Sequence, residues 1–121
     1  DGLIVATATG STAYALAAGG PILPPELRNM LVLPIAPHLS LDRAVVLAEG
    51  AVVNLRAISD FEVVVSIDGM PPLALSPESS VRVTANKKPL RMVRFDEPNY
   101  FYRDLADMLQ RNPVLKKDAH E

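Results

Sequence analysis

Six consecutive residues, Thr9-Gly10-Ser11-Thr12-Ala13-Tyr14, place three hydroxyls, a glycine and a tyrosine at one point of the chain. Such a group is suited to gripping an electron-rich partner, a phosphate or a ribose hydroxyl, through hydroxyls and main-chain amides. The flanks say how it would be presented. Leu3-Ile4-Val5-Ala6-Thr7-Ala8 has the length and β-branched content of a buried strand. Ala13 to Ala18 holds only residues a helix tolerates, and Gly19-Gly20-Pro21 stops it. The spacing predicts a strand, a tight polar turn and then about two turns of helix. Gly10 is expected to take φ > 0 or to let a ligand approach the backbone, while Thr9, Ser11 and Thr12 cap the helix and leave amides free at its start. Capping chemistry alone would also account for an ordinary Gly-Ser-Thr at a strand-to-helix junction.

Composition narrows the classes that can use such a corner. The 121 residues are one domain's worth. There is no cysteine, which removes disulfides and thiolate metal sites and makes a cytoplasmic location the expectation. No apolar run approaches the ~20 residues of a membrane span, and no basic segment leads into an apolar one at the start. A net charge of -2 without a Lys/Arg-rich run gives no electrostatic case for nucleic acid or an anionic membrane. His38 and His120 are the only histidines and stand without clustered carboxylates, so no metal site is expected. A start at Asp1, without methionine and two residues before a strand, reads as a piece cut from a longer protein.

After the Gly-Gly stop, the prolines of Pro21-Ile22-Leu23-Pro24-Pro25 make an extended connector. Met30 to Ala36 is a second apolar run ending at Pro37, and a loop through His38 and Arg43 leads to a strand over Ala44 to Ala48. Beyond Ala51 the pattern has period two. Val53 to Ala57 and Phe61 to Ile67 are predicted strands joined by a hairpin turn at Ser59-Asp60, with Asp68-Gly69 as the next turn. Leu73 to Leu75 is a short run. Val81 to Ala85 and Leu90 to Phe95 are predicted to pair around Asn86-Lys87-Lys88-Pro89. Strands about every ten residues indicate a mainly β, layered antiparallel, sandwich-like domain. Tyr100 to Gln110 sets Phe101, Leu105, Met108 and Leu109 at helical spacing, with Asn99 as N-cap and Pro113 beyond the end. Residues 113–121 are expected to form a flexible tail of a single domain spanning 1–121.

The string from Asp1-Gly2 through Thr9-Gly10-Ser11-Thr12-Ala13-Tyr14 to Gly19-Gly20-Pro21 closely resembles the signature of the NAD kinase family: Asp-Gly, a hydrophobic strand, Thr-Pro-Thr-Gly-Ser-Thr-Ala-Tyr, then Gly-Gly-Pro. Pro37-His38 and Arg43 extend the likeness, and the aromatic entry into the terminal helix adds to it. The resemblance implies the C-terminal, NAD-binding β domain of an enzyme that phosphorylates the adenosine-ribose 2′-hydroxyl of NAD with ATP or polyphosphate, with Mg²⁺, to give NADP. It implies an NAD-binding set of Asp1, Thr9, Gly10, Ser11, Thr12, Ala13, Tyr14 and Ala17, with Asp1 and Ala13 toward the nicotinamide and Thr9, Thr12 and Tyr14 around the adenosine. Asp68 and Met70 fall where the family has Asp-Gly and then glutamine, so the resemblance sets Asp68 near the site and leaves Met70 only packing to offer.

Three positions depart from the family pattern. Ala17 replaces a serine, Ala8 a proline and Met70 a glutamine. The family's Gly-Gly-Asp-Gly-Thr motif, with its catalytic aspartate, does not occur in the sequence. No catalytic residue is therefore assigned, and the piece is expected to be inactive without the missing N-terminal domain. The resemblance also implies a homodimer or homotetramer. The competing readings are the β domain of a related diacylglycerol or sphingosine kinase, and a non-catalytic nucleotide-binding regulatory module.

Overall fold

A computed structural model describes residues 2–36 and 42–111. The chain divides into two compact units, Asp1–Ala51 with Ala85–Glu121, and Val52–Thr84. As the period-two patterns imply, the strands are antiparallel and the chain is mainly β.

In the first unit, β1 (Gly2–Ala6) and β3 (Val45–Leu47) flank β2 (Met30–Ile35) in a three-stranded sheet. β2 is the longest of the described strands, is apolar throughout, and takes the central place, where Met30, Leu31 and Leu33 are buried. A proline inside a central strand normally removes a ladder bond. Pro34 is tolerated because β3 pairs only from Met30 to Val32, so at Pro34 the strand has a neighbour on one side alone, Leu3 of β1. The Asn29 side-chain amide donates to the Leu47 carbonyl at 2.9 Å and anchors the end of β3.

Two one-turn helices, α1 (Ala8–Ser11) and α2 (Tyr14–Ala17), follow β1. Ala8 and Ala15 pack with Leu23, Leu31 and Leu33, while Ile4, Ala6, Ala18 and Ala44 close the edges of that core. Alanine suits these positions because a short side chain lets a helix backbone lie close to the sheet. The helix predicted as one piece is thus two. Ala13, with φ -97° and ψ -128°, breaks it, and the Ser11 hydroxyl, donating back to the Ala8 carbonyl, completes a local bond that competes with continuation. β1 correspondingly ends at Ala6 rather than Ala8, with Thr7 extended at φ -83° and ψ 178°.

The same unit carries α3 (Tyr100–Arg111), the helix expected from the aromatic and leucine spacing. Phe101 is buried, and Tyr102 meets its ring edge-on at a centroid distance of 5.4 Å. Arg94 lies over the Tyr100 ring at 3.9 Å. The segment from Leu90 to Phe95 is not a strand, which corrects the hairpin expected with Val81 to Ala85. The Asn86 side chain accepts from the Lys88 N–H at 3.0 Å, and Pro89 then lacks an N–H, so the chain is turned without a geometry that returns it along β7.

In the second unit β4 (Val52–Arg56) pairs with β7 (Ser80–Thr84), and β5 (Val63–Val65) pairs with β6 (Leu73–Leu75). The hairpin expected at Ser59-Asp60 does not form, since its two flanking strands have different partners. Neither residue has the positive φ of a two-residue hairpin. Instead the Ser59 hydroxyl accepts from the Phe61 N–H at 3.0 Å and simply bends the chain. Asp68-Gly69 does form a turn: φ is +47° and +74°, and the Met70 N–H closes onto the Ile67 carbonyl at 2.8 Å. In β4 and β7 the half-buried residues are Val53, Leu55, Val81 and Val83, with Val53 opposite Val83 and Leu55 opposite Val81 on one face.

Candidate functional site

The corner between β1 and the connector at Pro21 has an inward row and an outward row. Ala8, Ser11 and Ala15 are buried, whereas Thr9, Ala13, Tyr14 and Ala17 are exposed and Gly10 and Thr12 are half-buried. Tyr14 keeps 64% of its surface accessible. Among the sequence-predicted site residues here, Ser11 alone has its side chain turned fully inward.

The hydroxyls do not cap helices as expected. Neither helix start has a side-chain cap bond. The Thr12 hydroxyl donates to the Thr9 carbonyl at 3.2 Å, and the Ser11 hydroxyl donates to the Ala8 carbonyl at 2.6 Å while accepting from the Leu23 N–H at 2.9 Å. Gly10 has no positive φ either. A Cβ at this position would stand 3.2 Å from the Ala6 Cβ, so the close approach that requires glycine is to the end of β1.

The Gly-Gly stop works by two different means. Gly19 has φ +85° and donates to the Leu16 carbonyl at 3.0 Å, and Gly20 donates to the Ala15 carbonyl at 2.8 Å. This bond pair is a Schellman motif, which satisfies the last carbonyls of α2. Gly20 is buried, and a Cβ there would lie 2.8 Å from the Ala15 oxygen and 3.2 Å from Leu33 Cδ2. Sequence reading took the pair as a helix stop and missed the packing role of Gly20. The doubled glycine was the signal, because a turn of this type needs positive φ at one position only.

Between Gly2 and Pro25 no side chain carries a formal charge. The corner can therefore offer hydroxyls, amides and an aromatic face, but no cation against a phosphate. Ala13 and Ala17 are exposed and carry only methyl side chains. Asp68 and Met70 belong to the second unit, both exposed at the β5–β6 turn. The Ser66 hydroxyl donates to the Met70 carbonyl at 3.3 Å, and the Met70 side chain is 55% exposed. Arg43 is exposed beside Asp42 at 3.9 Å. Asp1, Pro37-His38, Ser40 and the tail 113–121 lie outside the described residues. Among the described residues no three His, Asp or Glu side chains converge as metal ligands, and no helix is long and apolar enough to cross a membrane.

A mainly β chain of antiparallel strands, with an uncharged hydroxyl-bearing corner after its first strand, is the class that the fold defines. The sequence profile of the ATP-NAD kinase C-terminal domain matches residues 1–95, and the chain belongs to this family. It is 38% identical over 112 residues to an NAD kinase of Dehalococcoides mccartyi, covering 93% of this chain and 39% of that protein. It is 42% identical over 112 residues to an NAD kinase of Chloroflexus aurantiacus, with 93% and 41% covered. Over 101 residues it is 44% identical to an NAD kinase of Caldicellulosiruptor saccharolyticus, with 84% and 38% covered. The chain thus spans about two fifths of the length of these relatives.

Proposed function

We propose that this chain is the NAD-binding part of an NAD kinase, which phosphorylates the adenosine-ribose 2′-hydroxyl of NAD with ATP or polyphosphate to give NADP. The observation that carries the reading is the family match over residues 1–95, a span that contains the whole corner. Its outward row fits the neutral parts of a dinucleotide. Thr9 and Thr12 offer hydroxyls to a ribose, the accessible ring of Tyr14 offers a stacking face, and Ala13 and Ala17 leave space for a base. Ala17 cannot donate a hydrogen bond where the family has serine, so that polar contact is lost or passed to water. Asp1 completes the nicotinamide end in this reading.

Phosphoryl transfer needs an oriented acceptor hydroxyl and Mg²⁺ on the donor phosphates. Among the described residues no three His, Asp or Glu side chains converge as metal ligands, and the sequence lacks Gly-Gly-Asp-Gly-Thr. The chain's own contribution is to hold NAD, while the remainder of the longer enzyme supplies the donor site. Assembly as a cytoplasmic homodimer or homotetramer belongs to the same reading. Titration calorimetry of the 121-residue chain with NAD, alongside an NADP-forming assay with ATP and with polyphosphate, tests it. Weak binding without turnover is expected. NADP formation by this chain would refute the division of labour, and an absence of binding at millimolar NAD would refute the site.

A further inference from the structure

Ser11 is the only buried polar residue among the described ones, with none of its surface exposed. Its hydroxyl bridges two main-chain groups, the Ala8 carbonyl at 2.6 Å and the Leu23 N–H at 2.9 Å. Residue 11 is the last of α1, separated from the start of α2 by Thr12 and Ala13, and residue 23 follows the Schellman turn that ends α2. The bond to Leu23 therefore closes a loop that contains Thr12, Ala13, Tyr14 and Ala17. Leu23 is itself in the core beside Ala8 and Ala15, so the clasp ties the loop to the sheet and not merely to itself. A hydroxyl is suited to this role because it donates and accepts at once through a single atom.

We infer that Ser11 is a positioning residue: it touches no ligand, and it holds α2 and its outward row in register by clasping Ala8 to Leu23. The inference rests on the NAD-binding reading only for the identity of the ligand, and the clasp is decided without any ligand. Ser11→Ala removes both bonds and leaves the Leu23 N–H buried without a partner. Ser11→Cys keeps the approximate shape but only a weak donor and acceptor, and provides an intermediate case. Leu31→Val is the control, since it loosens the same core without touching the clasp.

Amide hydrogen exchange of the full chain, read together with its thermal unfolding, is the first measurement. In Ser11→Ala the amides of Leu23, Ala18, Gly19 and Gly20 should exchange at least about tenfold faster than in Leu31→Val, after both are corrected for global stability, with Ser11→Cys between them. Equal exchange in the alanine variant and the control would overturn the clasp. Calorimetry with NAD is the second. Ser11→Ala should weaken binding by about tenfold while Leu31→Val stays within about twofold of the unaltered chain. Parallel losses in the two variants would show that stability alone is at work and would overturn the positioning role. An unaltered chain that binds no NAD would refute the ligand while the exchange pattern still decides the clasp.

Discussion

Gly20→Ala is the substitution whose cost the structure defines most closely. The added Cβ would sit 2.8 Å from the Ala15 carbonyl oxygen and 3.2 Å from Leu33 Cδ2. The leucine end can turn aside. The carbonyl cannot move freely, because it accepts the Gly20 N–H at 2.8 Å as half of the motif that ends α2. Overpacking of this kind costs about 1–3 kcal/mol, and a stretched hydrogen bond adds about 0.5–1 kcal/mol. Against this, alanine lowers the entropy of the unfolded chain by only about 0.4–1 kcal/mol. The net expectation is a loss of about 2 kcal/mol, which for a domain of this size lowers Tm by about 8 °C. Gly19→Ala is the matched comparison: φ is +85°, but nothing lies within 4 Å of the added Cβ. Its cost is the left-handed backbone alone, about 1 kcal/mol. Denaturant unfolding followed by circular dichroism separates the two, provided that m is unchanged. Equal losses, or a greater loss for Gly19→Ala, would refute the packing role of Gly20.

Other outcomes follow from the same geometry. Leu31→Ala, at a fully buried position on the central strand, should cost about 2–5 kcal/mol in denaturant unfolding, whereas Val64→Ala, 52% exposed on β5, should cost under about 1 kcal/mol. Asp68→Gly should be neutral or slightly stabilising and Asp68→Val destabilising by about 1–2 kcal/mol, since φ is +47° there; amide exchange in β5 and β6 reads the difference. Tyr14→Ala should leave Tm within about 2 °C, because the ring is largely accessible, yet weaken NAD binding at least about tenfold through loss of its stacking face; unchanged calorimetric affinity would remove Tyr14 from the site.

Elements specified by neighbours in sequence were legible without the structure. β1, β2 and the Asp68-Gly69 turn stand within a few residues of their expected places, because side-chain periodicity and glycine's freedom at positive φ act over short spans. α3 likewise begins at the expected Tyr100. The strand-to-corner order after Gly2 was legible too, and Thr9, Ala13, Tyr14 and Ala17 are exposed on that corner.

What tertiary structure alone decided was the partner of each group. Period two says that β4 has two faces, but whether its edge meets β5 or β7 depends on chain paths set elsewhere, and the bend at Ser59 sends β5 away. Likewise a serine beside a glycine carries no mark of whether its hydroxyl faces solvent or an amide twelve residues on; the fold turned Ser11 inward to Leu23. Hydrogen bonds and packing are satisfied across space, and sequence spacing constrains them only where the two partners lie within a turn of each other.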